Sequence, residues 1–135
     1  MARIDHADST VGTVRGTLGV DIDAKFNDKL VAVGVTNLGR LAPGAANTGV
    51  VGIMQPGKKT RLAGTRVDYF KLGDFIDLNL PDMGLVTGRV AYADNGTGEI
   101  TTPAAAPAAG TATRVGHTLD TGDKIRLVID IKIGA

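Results

Sequence analysis

An all-β protein, either a small β-barrel or a β-sandwich, is the fold class that three features of the sequence predict. The last residues of the chain alternate between apolar and polar side chains, short apolar runs fill much of the rest, and turn-forming residues separate those runs. No segment keeps the 3.6-residue period of an amphipathic helix over several turns. Short strands at this spacing are typical of barrels and sandwiches.

The C-terminal segment carries the strongest of these signals. Its apolar residues are Ile125, Leu127, Ile129, Ile131 and Ile133, and they alternate with Lys124, Arg126, Asp130 and Lys132. Successive side chains of a strand point to opposite faces, so the pattern predicts a strand with one buried and one solvated face. A weaker alternation predicts a strand near the N-terminus, with Val14, Leu18, Val20 and Ile22 on one face and Arg15, Thr17, Asp21 and Asp23 on the other.

Further strands are predicted in the apolar runs at residues 30–35, 50–54, 66–71, 75–80 and 85–92. Between them, turns are predicted at residues 37–39, 43–44, 56–57, 81–82 and 95–96, because Gly, Pro, Asn and Asp suit the backbone angles of turns. Residues 23–29 are compatible with one or two turns of helix. The Ala-rich residues 102–112 contain Pro103 and Pro107, which favour an exposed loop insertion over a helix.

An internal repeat predicts that the fold is built from two similar strand units. Residues 39–43 resemble 98–102, residues 51–53 resemble 115–117, and residues 64–70 resemble 122–128, in the same order. Residues 102–112 are then an insertion in the second copy, and residues 53–63 form the longer connection in the first. We expect the two copies to build one closed or nearly closed sheet, because unpaired sheet edges invite aggregation.

The composition predicts a single domain with a core of Val, Ile, Leu and Ala. The chain has 135 residues, of which 43% are hydrophobic but only 4% aromatic, with 19 Gly and no Trp. Aromatic side chains bury the most area per residue, so this core is expected to be thin and to be supplemented by association. We therefore expect a homo-oligomer, with a trimer as the first choice.

Charge and cysteine content exclude several classes of function. Fifteen Lys and Arg balance 14 Asp and Glu along the whole chain, without the clustered basic surface that nucleic acids or anionic membranes require. The chain contains no Cys, hence no disulfide framework and no thiolate nucleophile. Neither a signal peptide nor an apolar stretch long enough to span a membrane is predicted, so neither nucleic acid nor membrane is an expected partner.

Three near-matches to functional motifs are better explained by turns and solvated ends. Residues 52–60 approach the phosphate-binding pattern G-x-x-x-x-G-K-[ST], but Lys59 stands where Ser or Thr is required. Residues 94–99 are rich in oxygen ligands but lack calcium-loop spacing, and Asn95-Gly96 suits a hairpin turn. His6 and His117 lie far apart, and Ser9 has no evident base. We expect no catalytic residue, metal site or cofactor, and hence no enzyme.

The second half of the chain also resembles a known family. Residues 88–100 contain a Gly, a Val-containing strand with Tyr92 and an Asp/Gly turn, followed by a short strand, the step Arg114-Val115-Gly116 and the alternating strand 124–133. This order is similar to that of the small capsid decoration, or cement, proteins of tailed phages. The resemblance covers residues 28–135 and departs from the family at His117, where a small apolar residue is usual, and in the long Ala/Pro insertion.

The resemblance implies a structural protein that is made in the host cytoplasm and binds the outer surface of a phage head. There it would clamp neighbouring subunits of the major capsid protein, with trimers at threefold lattice positions. Residues 28–135 would form the decoration domain, and residues 1–27 an extended N-terminal arm and the first strand. Residues 2–12 are too polar to join the core, so the predicted capsid contacts are Ala2, Arg3, Ile4, Asp5, His6, Thr10 and Val11.

A soluble β-barrel that binds a sugar or another small ligand is the alternative. Such sites use aromatic platforms or a concave pocket with convergent polar groups. The residues available for a platform are Phe26, Tyr69, Phe70, Phe75 and Tyr92, and their spacing suggests core positions instead.

Overall fold

The protein is an all-β, sandwich-like molecule, as predicted. A computed structural model describes residues 14–23, 29–55, 60–78, 85–122 and 124–131, which contain strands and turns and no helix. The strands are β1 (Val14–Thr17), β2 (Val31–Val35), β3 (Leu41–Pro43), β4 (Val50–Met54), β5 (Arg66–Tyr69), β6 (Phe75–Leu78), β7 (Val90–Asp94), β8 (Ile100–Thr101), β9 (Ala112–Asp120) and β10 (Ile125–Ile129). Within these residues, no helix is available that could cross a membrane. The segment 23–29, compatible with a helical turn, lies largely outside them.

Three antiparallel sheets organise the strands. Five strands form the largest sheet, in the order β6-β10-β9-β7-β8, while β3-β2-β4 and β1-β5 form the others. Single bridges join the two smaller sheets, from Ile53 on β4 to Phe70 after β5, and from Leu18 after β1 to Leu41 on β3. In the described part of the chain the sheets remain open, so the expectation of one closed or nearly closed sheet was wrong. The two strand units stack face to face across a shared core.

The predicted repeat is confirmed, and it extends to five strands. Strands β1–β5 form the first half and β6–β10 the second half, with the order β3-β2-β4 matched by β8-β7-β9. Val33 pairs with Gly52 in the first half as Ala91 pairs with Gly116 in the second, and a β-bulge follows each pair. Ile53 faces Phe70 as His117 faces Val128. These pairs confirm two of the three sequence correspondences residue by residue.

Loops and ion pairs repeat as well. Gly39 and Gly98 both have φ of 78°, at the same place in the β2–β3 and β7–β8 loops. Arg15 on β1 pairs with Asp68 on β5, and Asp77 on β6 pairs with Arg126 on β10. The two ion pairs occupy equivalent positions with the charges exchanged between the strands. The repeat predicted from the sequence did not include β1 and β6. The exchange of the charged residues between the paired strands hides the similarity there.

Two hydrophobic cores lie on opposite faces of the first half. One core is made of residues of the first half alone: Leu18, Ile22, Val31, Val33, Leu41, Met54 and Val67. The other combines Leu30, Ala32, Val50, Ile53 and Phe70 of the first half with buried residues of the second half, among them Ala91, Val115, Leu127 and Ile129. Neighbouring residues of β2 and β4 therefore point into different cores. The second half therefore packs its buried face on the side of the first half that is opposite the first core.

The C-terminal strand agrees with its predicted pattern, since Ile125, Leu127, Ile129 and Ile131 are all buried. The N-terminal strand is shorter than predicted. It ends at Thr17, and Val20 is largely exposed, because the chain turns at Gly19 to donate a hydrogen bond to the carbonyl oxygen of Leu41 at 2.8 Å.

The Ala/Pro segment forms the connection between β8 and β9, with mostly exposed residues between 104 and 110. Its far end is held by Asn95, whose side-chain amide donates to the carbonyl oxygen of Gly110 at 3.1 Å. The backbone N–H of Asn95 donates to the carbonyl oxygen of Thr111 at 3.0 Å. The insertion predicted for the second copy is therefore present, as a loop with a fixed base.

Candidate functional site

The solvent-facing side of the five-stranded sheet is the most distinctive surface of the described residues, and is called the outer face below. Cross-strand pairing places its side chains on one side of the sheet. The outer face consists of Phe75 and Asp77 on β6, Arg126 and Val128 on β10, Asp130 after β10, Arg114, His117 and Leu119 on β9, and Val90 and Tyr92 on β7. Phe75 and Leu119 are each 46% exposed, so the outer face presents two large apolar side chains to solvent.

An ionic cluster fixes one end of the outer face. Arg114 donates from Nε to Asp130 Oδ1 at 3.0 Å and from Nη2 to Asp130 Oδ2 at 2.8 Å. His117 Nδ1 lies 2.8 Å from the same Oδ2 atom. The guanidinium of Arg114 is the main reason that the pKa of Asp130 lies below its usual range, and the contact with His117 lowers it further. With both oxygens engaged, the carboxylate acts as a brace between β9 and β10.

A second arginine is fixed beside an exposed aromatic ring. Arg126 donates to Asp77 from Nε at 2.8 Å and from Nη2 at 3.3 Å. Its guanidinium carbon also lies 4.1 Å from the centroid of the Phe75 ring, a favourable cation–π geometry. Both side chains are thus held in place. Aromatic and arginine side chains are enriched in protein–protein interfaces.

The repeat shows what happens to the equivalent face in the first half. Val50, Ile53 and Phe70 occupy the positions of Arg114, His117 and Val128, and all three are buried in the core shared with the second half. In the first half this face is therefore covered by another sheet. In the second half the same face carries more polar side chains and is open to solvent.

The predicted contact residues of the N-terminal arm, Ala2, Arg3, Ile4, Asp5, His6, Thr10 and Val11, lie outside the described residues. The outer face was not among the sites predicted from the sequence. A usable signal was present, because the repeat aligns Ile53 with His117. Where one copy of the repeat has a polar residue and the other has a buried apolar residue at the equivalent position, the face that carries them is covered in only one of the two halves.

The aromatic residues do not form a common platform among the described residues. Tyr69 packs against the core of the first half, and Phe70 is buried in the shared core. Phe75 and Tyr92 both lie on the outer face, but β10 and β9 separate their strands. Phe26 lies outside the described residues. These positions give no support to the sugar-binding alternative.

The oxygen-rich residues 94–99 form a hairpin turn. The Oδ1 atom of Asp94 accepts hydrogen bonds from the backbone N–H groups of Gly96 at 2.7 Å and Thr97 at 3.0 Å. These bonds lower the pKa of Asp94 and use its carboxylate to shape the turn. Among the described residues, no three His, Asp or Glu side chains cluster as metal ligands would.

Comparison with known proteins shows the fold. No protein-family model matches the chain, and no curated protein matches it in sequence. A solved structure from Mycobacterium phage Patience is similar, with a TM-score of 0.65 and 16% sequence identity. The similarity covers 96% of this chain and 95% of the phage chain. The protein therefore has the fold of a phage protein along nearly its whole length.

Proposed function

We propose that the protein is a decoration, or cement, protein of a phage head, bound to the outer surface of the major capsid protein lattice. The observation that carries the proposal is the fold shared with a protein of Mycobacterium phage Patience over nearly the full length of both chains. The resemblance of residues 28–135 to decoration proteins supports the same role from the sequence. The protein would act as a structural component of the virion and not as an enzyme.

The outer face is the proposed contact surface for the capsid. It combines exposed apolar side chains, Phe75 and Leu119, with arginines held by Asp77 and Asp130. Interfaces gain most from such aromatic and arginine anchors, and side chains that are already fixed lose less entropy on binding. That the equivalent face of the first half packs against another sheet supports a docking role for this one.

Stabilisation of the head would follow from mass action. A protein that binds only the assembled shell favours that state over its dissociated subunits. The capsid repeats the same surface many times, so a modest affinity at each site has a large combined effect on the shell. Neither a cofactor nor a chemical step is required.

The N-terminal arm is a second proposed contact. Residues 2–12 are polar and would lie across a neighbouring capsid subunit, gaining contact area at the cost of ordering the segment. The contact residues in this proposal remain Ala2, Arg3, Ile4, Asp5, His6, Thr10 and Val11.

Occupancy on purified heads tests the outer face. We expect Leu119→Asp to reduce the copies retained per head at least tenfold, because it replaces an exposed apolar side chain of the proposed contact by a charge. Leu62→Asp is the matched control, since Leu62 is 61% exposed on the connection between β4 and β5, and it should bind like the wild type. Equal retention of both variants would reject the outer face, and wild-type protein that does not bind heads would reject the function.

Deletion of residues 2–12 tests the arm separately. The shortened protein should keep the far-ultraviolet circular dichroism and unfolding midpoint of the full chain, because the deletion ends before β1. It should dissociate from heads at lower denaturant concentration than the full chain. Unchanged release would remove the arm from the proposal and leave the outer face untouched.

A further inference from the structure

The two halves contain hairpin loops at equivalent positions, and the second loop is one residue longer than the first. The first hairpin loop, residues 36–40, joins β2 to β3, and the second hairpin loop, residues 94–99, joins β7 to β8. In the first, Gly39 donates its N–H to the carbonyl oxygen of Thr36 at 2.9 Å, and in the second Gly98 donates to Asp94 at 2.8 Å. Both glycines have φ of 78°, so each loop enters its next strand through a glycine of the same conformation.

The second hairpin loop is docked on the first half. The carbonyl oxygen of Gly98 accepts a hydrogen bond from the N–H of Ala32 at 2.8 Å, and that of Asn95 accepts one from Ala45 at 2.9 Å. The contact is so close that a Cβ atom on Gly98 would overlap the carbonyl oxygen of Ala32 and lie 2.9 Å from the nitrogen of Gly44. The loop of the second half therefore pairs with a backbone N–H of β2 in the first half that is not bonded to β4.

The first hairpin loop has no such contact within the described residues. Leu38 at its tip is 82% exposed, and a Cβ atom on Gly39 would meet no atom within 4 Å. No described residue donates a hydrogen bond to the carbonyl oxygen of Gly39. Within the described residues, the loop equivalent to the docked one therefore has no partner.

Within the described residues, the matching edge of the second half is also unpaired. Val90 faces His117 as Ala32 faces Ile53, so its N–H and C=O point away from β9, as those of Ala32 point away from β4. Pro103 takes the place of Gly44 and cannot donate to Val90 as Gly44 donates to Ala32. Among the described residues, none is hydrogen-bonded to the N–H of Val90.

We propose that the protein associates with a second copy of itself, head to tail, by docking the first hairpin loop of one copy on the Val90 edge of the next. The carbonyl oxygen of Gly39 in one copy would accept a hydrogen bond from the N–H of Val90 in the next. This bond would repeat the one that Gly98 accepts from Ala32 within the chain. The loop and the edge lie on different parts of the molecule, so the contact is heterologous and builds a ring or a filament. The contact uses the backbone of Val90, whereas the proposed capsid contact uses side chains of the outer face, so sedimentation without heads and retention on heads test the two proposals separately.

Two substitutions within the repeat weaken the association. Inside the chain Glu99 forms a bridge with Val31, and the equivalent residues between copies are Arg40 and Arg89. Two positive charges would face each other, so the association is weakest at low ionic strength and strengthens as salt screens the repulsion.

Sedimentation of the purified protein tests the proposal. Arg40→Glu restores the residue type found at position 99, and we expect it to lower the dissociation constant at least tenfold at low salt, with less gain at high salt. Leu62→Glu adds the same charge to another exposed site and should not change association. An Arg40→Glu protein that sediments as a monomer at all concentrations up to about the millimolar range would overturn the proposal.

Oxidative cross-linking gives a second and more specific test, because the natural chain has no Cys. Residues opposed in a β-bridge lie within the distance that a disulfide spans. The double variant Arg40→Cys/Arg89→Cys should therefore give a ladder extending beyond dimers on a non-reducing gel. Either single variant should stop at dimers. A double variant without bands above the dimer would contradict the head-to-tail contact, whatever its behaviour on heads.

Discussion

Individual residues of the outer face differ from their counterparts in the first half, and Asp130 shows the physical consequence. Its carboxylate binds Arg114 through two hydrogen bonds and contacts His117, and its pKa is lowered. A carboxyl with a lowered pKa stabilises the fold at pH values above the unfolded value of about 3.9. That stabilisation is lost as the pH falls through the lowered pKa.

We expect Asp130→Asn to reduce the free energy of unfolding at pH 7 by about 1 kcal/mol, allowing for the partial exposure of the pair. The variant should also lose less stability than the wild type on acidification. Urea unfolding at a series of pH values from 7 to about 2 measures both effects. Asp68→Asn is the control, since its pair with Arg15 is more exposed. Parallel stability curves for the wild type and Asp130→Asn would contradict this account.

At the scale of strands, the glycines at the bulges determine how closely neighbouring strands approach. A Cβ atom on Gly116 would overlap the carbonyl oxygen of Val128, and one on Gly52 would overlap the ring of Tyr69. Because the obstacle at Gly116 is backbone, the strands would have to separate. We expect Gly116→Ala to lower the free energy of unfolding by about 3 kcal/mol.

Gly110→Ala provides the comparison, because Gly110 has φ of 83° and a Cβ atom added there would meet no atom within 4 Å. Only backbone strain opposes that substitution, at a cost of about 1 kcal/mol. Chemical denaturation of both variants measures the difference. Equal losses would contradict this account, because the close approach at Gly116 would then cost no more than the backbone strain at Gly110.

The sequence was sufficient to predict these strands where alternation or glycine spacing was preserved. Ile125 to Ile131 alternate without interruption, and the shared Val-Gly step aligned β4 with β9. The sequence was not sufficient to predict which of the two halves buries this sheet face against another sheet. Ala32 and Val90 are both apolar and occupy equivalent positions, yet only the former is fully buried, since burial depends on how the halves stack. The outer face was missed for the same reason.

At the scale of the whole molecule, the shared core makes the two halves interdependent. Ile53 and Phe70 from the first half pack in the same cluster as Leu127 and Ile129 from the second. Separation of the halves would expose this cluster to water, at a cost of roughly 25 cal/mol for each Å² of apolar surface. The domain is therefore expected to unfold in one step, without a stable half-folded form.

The two tyrosines allow a direct test, because the chain has one in each half and no Trp. Tyr92→Phe leaves Tyr69 as a fluorescent reporter of the first half, and Tyr69→Phe leaves Tyr92 as a reporter of the second. In each variant, the thermal midpoint from fluorescence should coincide with that from circular dichroism. A fluorescence midpoint several degrees from the circular dichroism midpoint of the same variant would show that the halves unfold separately.

The hydrogen bonds of Asn95 make the Ala/Pro segment suitable for carrying an inserted peptide. The side-chain and backbone bonds of Asn95 to Gly110 and Thr111 hold the end of the loop beside the β7–β8 turn, while residues 104–106 face solvent. Foreign peptides grafted at residues 104–106 would project from an anchored base and leave the register of β9 unaltered. The position offers a natural display site on this scaffold.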